Sequence, residues 1–163
     1  MAITANTDRR PLMHRRSLVF GALAGAVSGF ASATSSPALS IVVWKDRNCG
    51  CCKDWITHLQ KSGFQVQAHD TGNKAVRKRL GMPEKFGSCH TAQVGGYVIE
   101  GHVPASDILR LLKEKPAAIG LAVPGMPIGS PGMDGPLYGN RKDPYEVLLV
   151  RHFLSPLVFQ SHS

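Results

Sequence analysis

Cys49-Gly50-Cys51-Cys52 gathers three of the chain's four cysteines into one four-residue window, and the fourth, Cys89, follows with His90 beside it. A structural staple has no use for three thiols so close together, so the window marks the functional site. It is at once a C-x-x-C (Cys49 and Cys52), a C-x-C (Cys49 and Cys51) and a vicinal pair (Cys51 and Cys52). A C-x-x-C at a strand-to-helix turn suits disulfide exchange, because the helix N-terminus lowers a thiol pKa from about 8.5 toward roughly 7. The extra thiols point to metal. Crowded thiolates repel one another, and a bound cation makes their joint deprotonation favourable.

The N-terminus has to be set aside before the fold is read. Arg15-Arg16-Ser17-Leu18-Val19 opens an uncharged stretch rich in Ala and Gly over residues 18–33. That is shorter than the roughly 20 residues that span a bilayer. Small-residue cleavage sites follow at Ala31-Ser32-Ala33 or Ser36-Pro37-Ala38. Residues 1–33 are therefore expected to be a signal peptide, cleaved as late as 38. The paired arginines suggest the twin-arginine route to the periplasm, with a plain secretory signal as the competing form. After cleavage no membrane association is expected.

Removing residues 1–33 takes out four arginines and one aspartate and lowers the formal charge from +8 to +5. The only basic run, Lys74, Arg77, Lys78 and Arg79, has no interleaved aromatics, so it reads as a solvated helix face and nucleic acid is not an expected partner. A mature chain of this length makes one domain, expected over residues 40–160.

Ile41-Val42-Val43-Trp44 reads as a buried strand before a turn-like Lys45-Asp46-Arg47-Asn48. Asn48 can cap the next helix, whose inward stripe of Cys52, Ile56 and Leu59 recurs at i, i+4 and i+7 until Gly63 stops it. Phe64, Val66 and Ala68 alternate as a strand. A second helix over residues 73–80 ends at Gly81. Residues 91–94 and 97–100 flank Gly95-Gly96, a tight hairpin signal. Pro104 opens a third helix with Asp107 in its first turn and Ile108, Leu111 and Leu112 inward. Strands over 145–150 and near 157–159 close the chain. The order strand, helix, strand, helix, hairpin, helix predicts an α/β, thioredoxin-like fold with a C-terminal strand extension.

This order places Cys89 and His90 at the start of the third strand, facing the C-x-x-C turn. Thioredoxins carry a cis-proline there, whereas residues 86–94 contain none, and a cysteine and a histidine can ligate metal where proline cannot. Residues 116–143 then hold five prolines and six glycines, a long loop expected to be functional or disordered. The loop carries Met126 and Met133. Flexible thioethers beside thiolates select Cu(I); the competing role for both is to pin the loop to the core.

Taken together, Asn48-Cys49-Gly50-Cys51-Cys52-Lys53, Ser88-Cys89-His90-Thr91, Gly101-His102-Val103-Pro104, Gly125-Met126-Pro127 and Ser130-Pro131-Gly132-Met133 resemble the family known as domain of unknown function 411. The likeness covers residues 41–150. The family has periplasmic copper-resistance members, and the resemblance implies a thioredoxin-like domain that binds copper as a thiolate-bridged cluster with a redox role in copper tolerance. Carried over by motif, the implied metal ligands are Cys49, Cys51, Cys52 and Cys89. Other periplasmic copper-handling proteins are the implied partners.

His90, beside Cys89, is a candidate ligand or a donor that orients one, and Met126 and Met133 complete the candidate set. His102 in its Gly-His-Val-Pro turn reads first as a turn stabiliser, while His58 and His69 read as surface or core residues, and Trp44 and Trp55 as packing. His152 and His162 have no assignment. Three functions stay open: a copper-binding protein holding Cu(I), a thiol-disulfide oxidoreductase with Cys49 as nucleophile and Cys52 as resolver, and a structural zinc site on the four cysteines. The chain reads as a metal-binding protein first and as a copper or thiol oxidoreductase second.

Overall fold

Consecutive apolar residues, as in Val98-Ile99, Leu121-Ala122 and Leu149-Val150, let one sheet be covered on both faces. The computed structural model describes residues 39–139 and 141–163; the expected signal peptide lies outside them. The elements run β1 (Leu39–Lys45), α1 (Gly50–Lys61), β2 (Phe64–His69), α2 (Lys74–Arg79), β3 (His90–Val94), β4 (Tyr97–Glu100), α3 (Ala105–Glu114), β5 (Gly120–Ala122), β6 (Tyr145–Val150) and β7 (Leu157–His162). Single 3₁₀ turns lie at Glu84–Phe86 and Pro136–Tyr138.

The seven strands among the described residues form one mixed sheet in the order β2-β1-β3-β4-β5-β6-β7. β1 pairs in parallel with β2 and antiparallel with β3, setting Trp44 opposite Thr91 and Lys45 opposite His90. Antiparallel pairing continues from β3 to β4 across the Gly95-Gly96 turn, where both glycines have positive φ (55° and 86°), the conformation a two-residue hairpin demands. The helix and strand order expected from periodicity is present, in a mixed α/β fold with three α-helices among the described residues.

Alternation along the strands divides the interior in two. Ile41, Val43, Ala92, Ile99, Leu121, Val147 and Leu149 pack with Trp55 and Leu59 of α1 and Ile108 and Leu111 of α3. Their neighbours Val98, Ala122 and Val150 pack with Met82, Phe86 and Ile119. Trp55 has no exposed surface, and truncating a buried tryptophan to alanine costs about 3–5 kcal/mol. Trp55 thus anchors the helix that carries the cysteine window.

Several local expectations change. The cap of α1 is Cys49, whose sulfur accepts the Cys52 N–H at 3.3 Å; Asn48 instead donates its backbone N–H to Asp46 Oδ1 at 2.8 Å. Asp46 closes the turn one residue early, which shifts the cap by one. The buried residues of α1 are Cys52, Trp55 and Leu59, with Ile56 only half-buried. Lys45 belongs to β1, buried and paired with Asp70 at 2.5 Å. Residues 116–143 are not one unbroken loop, because β5 pairs with β4 and β6 inside them. The last strand runs to His162, where Nε2 meets Asp107 Oδ2 at 2.7 Å.

Candidate metal and thiol centre

Three chain segments meet at the N-terminus of α1. The strand-to-helix turn brings Cys49, Cys51 and Cys52; the start of β3 brings Cys89 and His90; the turn after β4 brings His102. The Cys51 sulfur lies 3.6 Å from Cys49 Sγ and 3.9 Å from Cys89 Sγ. All four sulfurs lie within 4.8 Å of one another, and so do donor atoms of Cys89, His90 and His102. Cys89 belongs to both groups and joins them.

Cys49 and Cys52 form a disulfide with Cα atoms 5.4 Å apart, and Cys51 and Cys89 are free thiols. The structure therefore represents the oxidised protein. Cys52 is fully buried, whereas Cys49, Cys51 and Cys89 are half-buried. Burial, followed by repulsion from Cys51, pushes the Cys89 thiol up to about 12, so it is a neutral S–H at physiological pH.

Two imidazoles, themselves in edge contact, meet at that thiol. His102 Nδ1 lies 2.9 Å from the Pro131 carbonyl oxygen, which can only accept, so Nδ1 carries the proton. Its Nε2 lone pair then faces Cys89 Sγ at 3.1 Å. His90 Nδ1 lies 3.3 Å from the same sulfur, and its ring centroid is 5.0 Å from that of His102. Burial, reinforced by His102, holds His90 down to about 3, and burial likewise lowers His102, so both rings are neutral. Neutral imidazole is the form that ligates metal. His90 is sealed by Trp55, ring centroids 4.2 Å apart, and its Nε2 is buried without a hydrogen-bond partner among the described residues. His90 Nδ1 and His102 Nε2 beside clustered sulfur make a donor set that fits a soft metal ion.

The Gly/Pro/Met segment is tied over this centre. Ser88 Oγ donates to the Gly125 carbonyl at 2.5 Å, Pro131 anchors His102, and Gly132 packs against α1. A Cβ at Gly132 would lie 2.5 Å from the Cys51 carbonyl oxygen and 2.8 Å from the Trp55 nitrogen, and its φ is +85°. Only glycine fits there. The two methionines divide: Met133 is buried beside this contact, whereas Met126 is 52% exposed.

The expected cysteines are thus together, with His90 beside them. His102, read first as a turn stabiliser, does hold the loop, and its second nitrogen also reaches Cys89; its place in the Gly-His-Val-Pro motif was the available signal. His58 has a role its sequence did not announce: its Nε2 accepts the Ala105 N–H at 3.1 Å, supplying the cap that Pro104 cannot give α3. His152 lies beside the exposed Phe153, away from the cysteines.

Fold and site define a mixed α/β domain carrying a clustered thiol and imidazole centre. Residues 86–133 match the family model described as protein of unknown function, DUF411. Two solved structures named copper resistance protein CopG, in form 1 and form 2, are each 48% identical to this chain, with a TM-score of 0.71. Each likeness covers 77% of this chain and 98% of the other. The chain belongs to the DUF411 family. No curated protein matches it.

Proposed function

We propose that this protein handles copper, holding Cu(I) on the thiolates of Cys49, Cys51, Cys52 and Cys89 in a thiolate-bridged cluster for copper tolerance. The carrying observation is the meeting of four sulfurs and two neutral imidazoles within bonding reach of a small group of ions. Soft sulfur donors favour Cu(I) over harder ions. Relatives named for copper resistance support the same reading. His90 and His102 are further candidate donors, with Met126 and Met133 on the covering segment as candidate thioether ligands. The thioredoxin-like order supplies the scaffold: a helix N-terminus beside the segment entering β3, where Cys89 stands in place of a proline. The twin-arginine sequence supports export to the periplasm. Among the described residues no helix is long and apolar enough to cross a membrane.

The Cys49–Cys52 disulfide adds a redox condition. A dithiol donor that reduces it leaves as its own disulfide and returns two thiols, which lose their protons on taking up metal. Full loading therefore requires reduction. The same disulfide favours a second reading, thiol-disulfide exchange with Cys49 as nucleophile and Cys52 as resolver. A structural zinc site on the four cysteines is the third.

Anaerobic reconstitution of the reduced protein with Cu(I) under a competing chelator separates them. More than one copper ion per chain, with losses on Cys51→Ser and Cys89→Ser, supports copper holding. Failure to retain copper, with disulfide reductase turnover that survives Cys51→Ser, selects exchange. A single zinc ion and no copper selects the structural site.

A further inference from the structure

Ser88 and Thr91, the residues on either side of Cys89-His90, are both held by one buried carboxylate. Glu100, at the end of β4, has no exposed surface. Its Oε1 accepts the Ser88 N–H at 2.7 Å, and its Oε2 accepts the Thr91 hydroxyl at 2.6 Å. The Thr91 oxygen in turn accepts from Asn73 Nδ2 at 3.2 Å, which leaves its hydrogen directed at Glu100. Asn73 also donates to the Ser88 carbonyl at 3.0 Å, as does Arg77 Nη2 at 3.3 Å.

Arg77 Nε lies 3.0 Å from Glu100 Oε1, close enough for an ion pair, although its N–H is not aimed for a hydrogen bond. Arg77 therefore acts chiefly as the counter-charge, and Gly87 leaves room for its guanidinium. Burial pushes the Glu100 carboxyl upward, while hydrogen bonds from Thr91 and Ser88 and the charge of Arg77 pull it down. A buried ion pair is a costly means of stabilising a fold compared with apolar packing. What this one does is fix both ends of the dipeptide that carries Cys89.

We propose that Glu100 is a positioning residue of the centre: by binding Ser88 and Thr91 with its two oxygens, it sets Cys89 Sγ against Cys51. This rests on the reading of Cys89 as a metal ligand. Partners that orient ligands in this way change metal affinity by roughly 10-fold to 100-fold when removed.

The oxidised full chain offers a test that does not need copper, because Cys51 and Cys89 are then its two free thiols. Dibromobimane becomes fluorescent when it bridges two nearby thiols, and the sulfurs are 3.9 Å apart. Glu100→Gln, folded by circular dichroism, is expected to bridge at least about tenfold more slowly than wild type and to lose at least about tenfold in Cu(I) affinity after reduction. Thr91→Val, which removes one of the two anchoring bonds without changing shape, is expected to follow it, and Thr91→Ser to restore the rate. Wild-type bridging and copper affinity in folded Glu100→Gln overturn the proposal. If Glu100→Gln does not fold, Thr91→Val decides, and a wild-type rate in it overturns the proposal. A wild type that bridges fast but holds no Cu(I), alongside slow variants, sinks the copper reading and leaves the positioning role standing.

Discussion

Cys89 Sγ and His102 Nε2 lie 3.1 Å apart, with the opposite nitrogen of the ring bound to the Pro131 carbonyl oxygen at 2.9 Å. The loop thereby fixes the tautomer that turns a lone pair toward the thiol. His102→Ala is expected to lower Cu(I) affinity by roughly 10-fold to 100-fold. A chelator competition series measures this, and unchanged affinity would confine His102 to holding the loop.

Reduction should change the thiol count and the metal capacity together. As isolated under air, the protein is expected to show two thiols by Ellman titration after denaturation without reductant, and four after dithiothreitol is added and removed. Copper retained per chain should rise with the second pair. Equal retention by both forms would show that Cys49 and Cys52 take no part.

Gly132→Ala should disturb the centre from outside it. The new methyl meets the Cys51 carbonyl and the Trp55 nitrogen at a φ of +85°, a strain of about 1–3 kcal/mol. A lower thermal midpoint with weaker Cu(I) retention is the expected outcome. Full retention would mean that the loop lies over the thiols without shaping them.

Met126→Leu and Met133→Leu keep volume and should cost under about 1.5 kcal/mol in stability. If thioether sulfur contributes, Cu(I) retention falls without unfolding. Since Met133 is buried and Met126 is 52% exposed, the larger loss is expected at Met133. Unchanged retention in both returns the methionines to packing.

Acid should loosen α3 through His58. Only neutral imidazole can accept the Ala105 N–H, and burial lowers the folded-state pKa below its ordinary 6.5. The unfolded chain therefore takes up the proton first, so this contribution is complete above pH 6.5 and is lost as pH falls below it. His58→Ala should cost about 1 kcal/mol at pH 7.5, in line with a lost cap. It should also flatten the acid limb of the stability profile. An identical acid limb in wild type and variant would remove His58 from the account.

Much of the fold was legible because its signals are local. Gly63 at φ +91° stops α1, Gly95-Gly96 turns the hairpin, and the alternation in β2 shows in Phe64, Val66 and Ala68. Where neighbours compete, the reading slipped: Asp46 took the turn and gave the α1 cap to Cys49 rather than Asn48. β5 was hidden inside the Gly/Pro-rich stretch, since three residues are too few for any period and only pairing with β4 and β6 defines them. No local pattern marks Glu100, because its partners Ser88 and Arg77 are distant in the chain.

The cysteine window by itself determined where a candidate centre lies and that soft ions or disulfide exchange are its candidate chemistries, because thiol density within four residues is a property of the sequence alone. It also determined that the first thiols sit at a helix N-terminus. Only the tertiary structure decided how the centre is composed. Pairing β1 with β3 brings Cys89 to Cys51, the turn after β4 brings His102, and Glu100 holds the segment between them. These are long-range contacts, set by sheet register and buried polar satisfaction, and such contacts leave no periodic trace in the sequence.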